Sequence, residues 1–344
     1  MIKKNDFKKI LGVTLSAILV AGIFIPRSAF ASTTYTCDTT SEIQSALKNA
    51  KAGDTISIKP GTYTGVSGSS ASGNSNAYFY SDKSGTSSNP ITIKSSDKNN
   101  PAVLQGTSTG SKYVFYLTGD YWKLDGLTIK TGKKGIMIDN GNYNIIQKCT
   151  VTNIGEEAVH FRDASCHNEI KYCTITDTGL TNPKYGEGVY VGSDKGKWES
   201  KGGDYDPSCD YNTIKANTIG SGVAAESIDL KEGTTGTKIY DNTFNGKGIS
   251  GANYADSFID VKGNKTKIYN NTFNRDDNSI IVDGIQIHEI VSGWGYDNYI
   301  YDNTFNLDKS SPYVVNVDKG SAYVSNNKRT PSSGNMYTGN YKEY

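Results

Sequence analysis

Lys231 and Lys262 end two short phrases, Ile228-Asp-Leu230-Lys231 and Ile259-Asp-Val261-Lys262, in which apolar and charged residues alternate. If each phrase is a strand, period two puts the apolar pair inside and the charged residues outside. Two ammonium groups beside two carboxylates can hold an anion. A lysine can also take a proton, provided that its pKa falls towards neutrality. A second lysine about 5 Å away on the next strand lowers that pKa, while Asp229 and Asp260 raise it. The sequence leaves that balance open.

The pattern recurs at Ile136-Met-Ile138-Asp139, Val159-His-Phe161-Arg162, Val189-Tyr-Val191-Gly192, Ile285-Gln-Ile287-His288 and Val315-Asn-Val317-Asp318. Aligned, one outer column reads Met137, His160, Tyr190, Asp229, Asp260, Gln286 and Asn316. The next reads Asp139, Arg162, Gly192, Lys231, Lys262, His288 and Asp318. A third, two residues before each pair, holds Glu157, Glu187, Glu226, Ser257 and Asp283. Such a face is either a solvated ionic ladder or a groove for an anionic polymer. In the groove reading, Lys231, Lys262, Arg162 and Tyr190 are the catalytic candidates. His160, Asp229, Asp260, Gln286 and His288 would contact substrate. Trp198 and Trp294 would flank the groove and stack on sugar rings, or else pack in loops. Glu187, Glu226, Asp229 and Asp260 offer the oxygen ligands that Ca2+ takes, or they pair with lysine and water. No organic cofactor is expected.

A repeat must position these residues. Asn144-Ile-Ile-Gln-Lys-Cys149-Thr-Val matches Asn168-Glu-Ile-Lys-Tyr-Cys173-Thr-Ile at an offset of 24 residues. The phrase returns around Asn217, Asn242, Asn271 and Asn303, with a worn copy ending at Asn326 and an earlier one at Trp122-Lys-Leu-Asp-Gly-Leu127. Short alternating strands at such spacing predict a solenoid of β-coils. The recurring Asn residues then stack at a bend. Cys149 and Cys173 share that position in adjacent coils and are the candidate disulfide. The other cysteines are Cys37, Cys166 and Cys209, and no pair has zinc-site spacing. An offset of 44 marks residues 195–210 as an insertion, and a helix over 41–51 would place Ile43, Ala46, Leu47 and Ala50 on one face.

Composition agrees with an elongated all-β chain. Only 35% of the 344 residues are hydrophobic, too few for one large spherical core, while Gly stands at 37 and Tyr at 24. Lys3, Lys4, Lys8 and Lys9, an apolar run over 10–26 and the ending Arg27-Ser-Ala-Phe-Ala31 read as a secretory signal peptide, residues 1–31. A single domain would then span 32–344, a secreted monomer with no membrane segment after cleavage. Removing 1–31 takes the net charge from +1 to −3, which argues against nucleic acid as a partner.

The segment Gly53-Asp-Thr-Ile-Ser-Ile-Lys-Pro-Gly61-Thr-Tyr63 resembles the opening of the right-handed parallel β-helix (pectin-lyase-like) superfamily, whose first strand follows a capping helix. The resemblance implies a single-stranded right-handed parallel β-helix over most of the mature chain. Glu187-Gly-Val-Tyr-Val-Gly, then Glu226-Ser-Ile-Asp-Leu-Lys231, then Ile259-Asp-Val-Lys262 resembles the family of chondroitinase B and related alginate lyases. That likeness implies β-elimination on an acidic, uronic-acid-containing polysaccharide. It implies Lys231 as general base, Lys262 in place of the usual Arg, and Glu226 as a calcium-binding carboxylate. Two positions depart from it: Lys184-Tyr-Gly-Glu187 stands for Asn-Gly-Gly-Glu, and Ala224 for a second calcium-ligand Glu. A C5-epimerase uses the same proton abstraction. A non-catalytic glycan-binding or cell-surface β-helix shares the scaffold. A glycoside hydrolase would need clustered aspartates, and the single Asp-Asp, Asp276-Asp277, falls in a turn.

Overall fold

The computed structural model describes residues 31–66, 68, 71–198, 200 and 205–344. The signal-peptide expectation lies outside them, Ala31 apart. Ser32–Tyr344 forms one compact unit. No helix among the described residues is long and apolar enough to cross a membrane.

Each repeat contributes three short strands, and each strand pairs in parallel with its counterparts in the coils before and after. One face stacks Lys134–Asp139, Val159–Arg162, Val189–Val191, Ile228–Leu230, Ser257–Val261, Asp283–Ile287 and Tyr313–Ser325. The second face stacks strands such as Thr213–Lys215, Lys238–Tyr240, Lys267–Tyr269 and Asn298–Tyr301. The third is a separate sheet of ten strands that includes Thr243–Asn245, Thr272–Asn274 and Thr304–Asn306. Tyr313–Ser325 is long enough to run through both of the first two faces. The chain is therefore a parallel β-helix whose main-chain hydrogen bonds run along its axis.

The core is a set of apolar columns. Ile228, Ile259, Ile285 and Val315 are fully buried, as are Leu230, Val261 and Ile287 one strand position on. Phe244, Phe273 and Phe305 stack at 4.7 and 4.3 Å on the third face. In-register stacking of like side chains fills a narrow core, and the modest apolar content suffices.

Amide ladders hold the corners. The backbone N–H of Asn217 donates to Asn242 Oδ1 at 2.9 Å, Asn242 to Asn271 at 2.9 Å, Asn271 to Asn303 at 3.0 Å and Asn303 to Asn327 at 3.1 Å. The last rung is thus Asn327, and Asn326, expected there from the worn repeat, is exposed at the bend before it. The residue before each rung is left-handed: Ala216, Asp241, Asn270, Asp302 and Asn326 have φ of 51–58°. A second ladder joins Asn144, Asn168 and Asn212, with Asn144 N–H on Asn168 at 2.8 Å and Asn168 N–H on Asn212 at 2.8 Å.

Cys149 and Cys173 sit in adjacent coils as expected, but they form no disulfide; all five cysteines are free thiols. Each thiol replaces a ladder amide and turns to main-chain carbonyls instead. Cys149 Sγ lies 3.3 Å from Gln147 O, and Cys173 Sγ 3.3 Å from Lys171 O.

The helix Thr40–Asn49 begins with a capping box between Thr39 and Glu42 and buries Ile43, Ala46 and Leu47. It docks on the strand Ala77–Ser81: Gln44 Nε2 donates to Tyr78 O at 2.8 Å, and Ser81 Oγ donates to Leu47 O at 2.7 Å.

Candidate active site

Strand register assembles the site. His160 pairs with Tyr190, Tyr190 with Asp229, Asp229 with Asp260, Asp260 with Gln286 and Gln286 with Asn316, one continuous outer column. The backbone N–H of Lys231 donates to Val191 O, that of Lys262 to Leu230 O and that of His288 to Val261 O, so these three occupy consecutive coils. Gly192 precedes Lys231 in the same column. A Cβ there would lie 3.1 Å from Lys231 Cβ, and its φ of +90° also suits glycine.

Both lysines converge on one carboxylate. Lys231 Nζ lies 2.7 Å from Asp229 Oδ2, and Lys262 Nζ lies 3.0 Å from Asp229 Oδ1 while also pairing with Asp260. Side-chain exposure is 13% for Lys231 and 11% for Lys262, so both ammonium groups are recessed in this outer face, the candidate trench. Burial alone would lower both lysine pKa values. The adjoining aspartates outweigh it and hold both above the ordinary lysine value. The balance left open by the sequence falls to the aspartates, and Lys231 is protonated at rest.

Lys231 Nζ stands 5.1 Å from the centre of the Tyr190 ring, which meets His160 edge-on at 4.4 Å. The Tyr190 hydroxyl makes no hydrogen bond among the described residues. Burial and then the Asp229 charge push its pKa well above the usual phenol range, so it keeps its proton. His160 is buried beneath this ring. Its Nε2 donates to Gly192 O at 2.9 Å, and Nδ1 faces Glu157 at 3.5 Å. It therefore backs Tyr190 and does not face the trench as a substrate contact, contrary to expectation. Asp229 and Asp260, also expected to touch substrate, lie under the ammonium groups and anchor them.

The third column supplies carboxylates. Glu187, Glu226 and Asp229 are buried, and one oxygen from each lies within 4.8 Å of the others. Asp260, expected with them, stands apart from this group on Lys262. Burial, then neighbouring carboxylates, push Glu187 well above the usual range and Glu226 up to about 8. Glu187 Oε2 is buried with no hydrogen-bond partner among the described residues. Four ionised carboxylates, Glu187, Glu226, Asp229 and Asp260, would face two ammonium groups. The two surplus negative charges call for either two protons or one divalent cation, and the oxygen donors and the orphaned Glu187 oxygen fit a hard ion.

The insertion bridges neighbouring coils. In the insertion, Lys195 N–H donates to Glu232 Oε1 at 2.7 Å, and Lys195 Nζ reaches Ile290 O at 3.2 Å, three coils onward. Trp198 donates from Nε1 to Ser193 O at 2.9 Å and lies against Gly233; Trp294 is partly exposed in the turn that begins at Val291. Both tryptophans therefore sit in loops. His288 Nε2 is 3.2 Å from Gln286 Oε1 and 3.6 Å from Asp260, and Gln286 Nε2 donates to Asp256 at 2.8 Å. These two extend the polar floor towards the C-terminus.

Arg162 is not brought together with the lysines. Gly192 separates it from Lys231 in the column, and its Nε donates to Asp139 Oδ1 at 2.7 Å, a carboxylate that also accepts from Tyr116 at 2.9 Å. Three contributors were missed. Lys134 heads the third column and pairs with Glu157; continuing that column one coil back would have found it. Glu232 and Lys195 tie the insertion down, and their phrases carry no signal of this. Met137 lies in the outer column but is fully buried between Tyr116 and His160, so that end of the column is covered.

Comparison with known proteins fits this geometry. The family described as the Pel9A-like, right-handed β-helix region matches residues 24–182. The crystal structure of alginate lyase from Paenibacillus sp. str. FPU-7 is 48% identical, with a TM-score of 0.84, covering 90% of this chain and 99% of that one. Two others share the fold alone. Pectate lyase Pel9A is 16% identical with a TM-score of 0.57, over 91% of this chain and 79% of that one. The Streptococcus pneumoniae surface protein and adhesin PfbA is 13% identical with a TM-score of 0.61, over 88% and 85%. No curated protein sequence matches.

Proposed function

The chain belongs to the family of the Paenibacillus alginate lyase, polysaccharide lyases built on a right-handed parallel β-helix, and from this premise we propose that it cleaves alginate or a closely related polyuronate by β-elimination. The observation that carries the proposal is the pair Lys231 and Lys262 sharing Asp229 beside the unbonded hydroxyl of Tyr190.

The roles follow from charge and protonation. Lys262, fixed by two carboxylates, offers a permanent positive charge to the uronate carboxylate. That charge stabilises the carbanion-like state formed when the neighbouring C–H loses its proton. Lys231, once deprotonated, takes that proton. The bond from carbon to the leaving sugar oxygen breaks as the C=C bond forms. Tyr190, which keeps its proton, returns one to the leaving oxygen. Glu187, Glu226 and Asp229 would hold Ca2+, which when bound supplies further charge neutralisation for the uronate. Within this reading, residues 1–31 direct export, the mature chain acts as a secreted monomer, and the helix Thr40–Asn49 closes the N-terminal end of the stack.

The test is ultraviolet absorbance of unsaturated uronate products on alginate, pectate, glucuronan and glycosaminoglycans, each with and without chelator. Alginate should give the strongest signal. Binding to alginate without any rise in absorbance would reduce the protein to a glycan-binding β-helix. Calorimetry on chelated protein should show one Ca2+ bound with release of protons, lost in Glu187→Gln. Absence of binding assigns the two surplus charges to protons.

A further inference from the structure

On the face next to the trench, lysine and tyrosine stack in register. Lys238 pairs with Lys267 and Lys267 with Tyr299; Tyr240 pairs with Tyr269 and Tyr269 with Tyr301. The rings of Tyr240, Tyr269 and Tyr301 stack at 4.8 and 5.0 Å, and Tyr299 stacks on Tyr323 at 4.9 Å. Tyr344 stands edge-on against Tyr299 at 5.9 Å and Tyr301 at 6.5 Å. Lys265, Lys267, Asp297, Tyr299, Tyr301 and Tyr344 enclose an open cavity of about 550 Å³.

The charges here are not internally balanced. Lys215 on the same face is held by Glu169 at 2.8 Å. Lys238, Lys265 and Lys267 are exposed and make no ion pair among the described residues. Like charges directly opposite on adjacent strands are unfavourable, and Lys238 and Lys267 are so placed. Among the lining side chains Asp297 is the single acid, against two ammonium groups. Ser325 faces Tyr301 in the next coil and is too small to cover that ring's second face. Unpaired ammonium groups beside phenol rings suit a ligand with both carboxylates and sugar rings.

We infer that this cavity is a second binding surface for the enzyme's own polyuronate, separate from the catalytic trench. Lys265 and Lys267 follow Lys262 by three and five residues on one coil. At about 3.3 Å per extended residue, that is roughly 10–16 Å of backbone around a corner, a span one polymer chain bridges. The inference rests on the reading that the trench acts on an acidic polysaccharide. The second surface tethers the polymer and takes no part in the chemistry.

The test pairs affinity electrophoresis in native gels containing sodium alginate with kinetics on polymer and on trisaccharide. The Lys265→Ala/Lys267→Ala double variant should lose most of its retardation. Its KM on polymer should rise about threefold to tenfold, with trisaccharide turnover unchanged. Tyr344→Ala, which alters the wall without changing charge, should weaken retardation in the same direction at unchanged melting temperature. Equal retardation of wild type and double variant overturns the inference. So does an equal change on both substrates, or retardation by polynucleotide gels but not by alginate. If no uronate is cleaved at all, the catalytic reading fails, and the gels still report on this surface independently.

Discussion

Lys231 and Tyr190 carry the sharpest predictions. Lys231→Met and Tyr190→Phe should each lower the rate of unsaturated product formation by about 10²–10⁴-fold while leaving alginate retardation intact. The pH dependence has a definite sign. A base works unprotonated, and Asp229 holds Lys231 above its ordinary pKa. Turnover should therefore climb from neutral through alkaline pH, and Asp229→Asn should move that rise to lower pH. A profile unchanged in Asp229→Asn would remove Lys231 from the base role. At this scale the sequence was partly legible. Period two and coil order placed Lys231, Lys262, Asp229 and Tyr190 together, because register in a stacked sheet is one-dimensional. It could not show that His160 turns under Tyr190, or that Arg162 is taken by Asp139. Those outcomes depend on side-chain direction and on partners outside the aligned phrases.

Corners and strands decide stability. Asn271 Nδ2 donates to Ile239 O, Tyr269 O and Asn303 Oδ1, and its own Oδ1 accepts from Asn242. Asn271→Ala strands several buried main-chain groups and should cost roughly 1–3 kcal/mol in denaturant unfolding. Ala216 has φ of 52° just before a rung, so Ala216→Gly should stabilise by up to about 1 kcal/mol. Gly192→Ala, with φ of +90° and a Cβ 2.7 Å from Thr234 Cγ2 and 3.1 Å from Lys231 Cβ, should lower melting temperature as well as turnover. The repeat phrase made the first ladder legible from its recurring Asn. The second ladder went unread although Asn144, Asn168 and Asn212 open the same phrases, since a polar residue at a strand entry also suits an ordinary turn. The last rung slipped by one residue, from Asn326 to Asn327, where the worn copy lost its flanking pattern.

Across the whole molecule, stacking makes stability nearly a sum over neighbouring coils, so its loss can begin at an end and travel. The thiols offer a way to watch this. None is cross-linked; Cys37 lies near the N-terminal end, while Cys149, Cys173 and Cys209 are buried further along. Burial pushes Cys37 up to about 11 and raises Cys173 and Cys209 as well, so these three react slowly while covered. Alkylation by iodoacetamide in mild denaturant, mapped by peptide mass, becomes a built-in clock. Modification of Cys37 ahead of the central three would record unravelling from one terminus, and simultaneous labelling would record a single cooperative collapse.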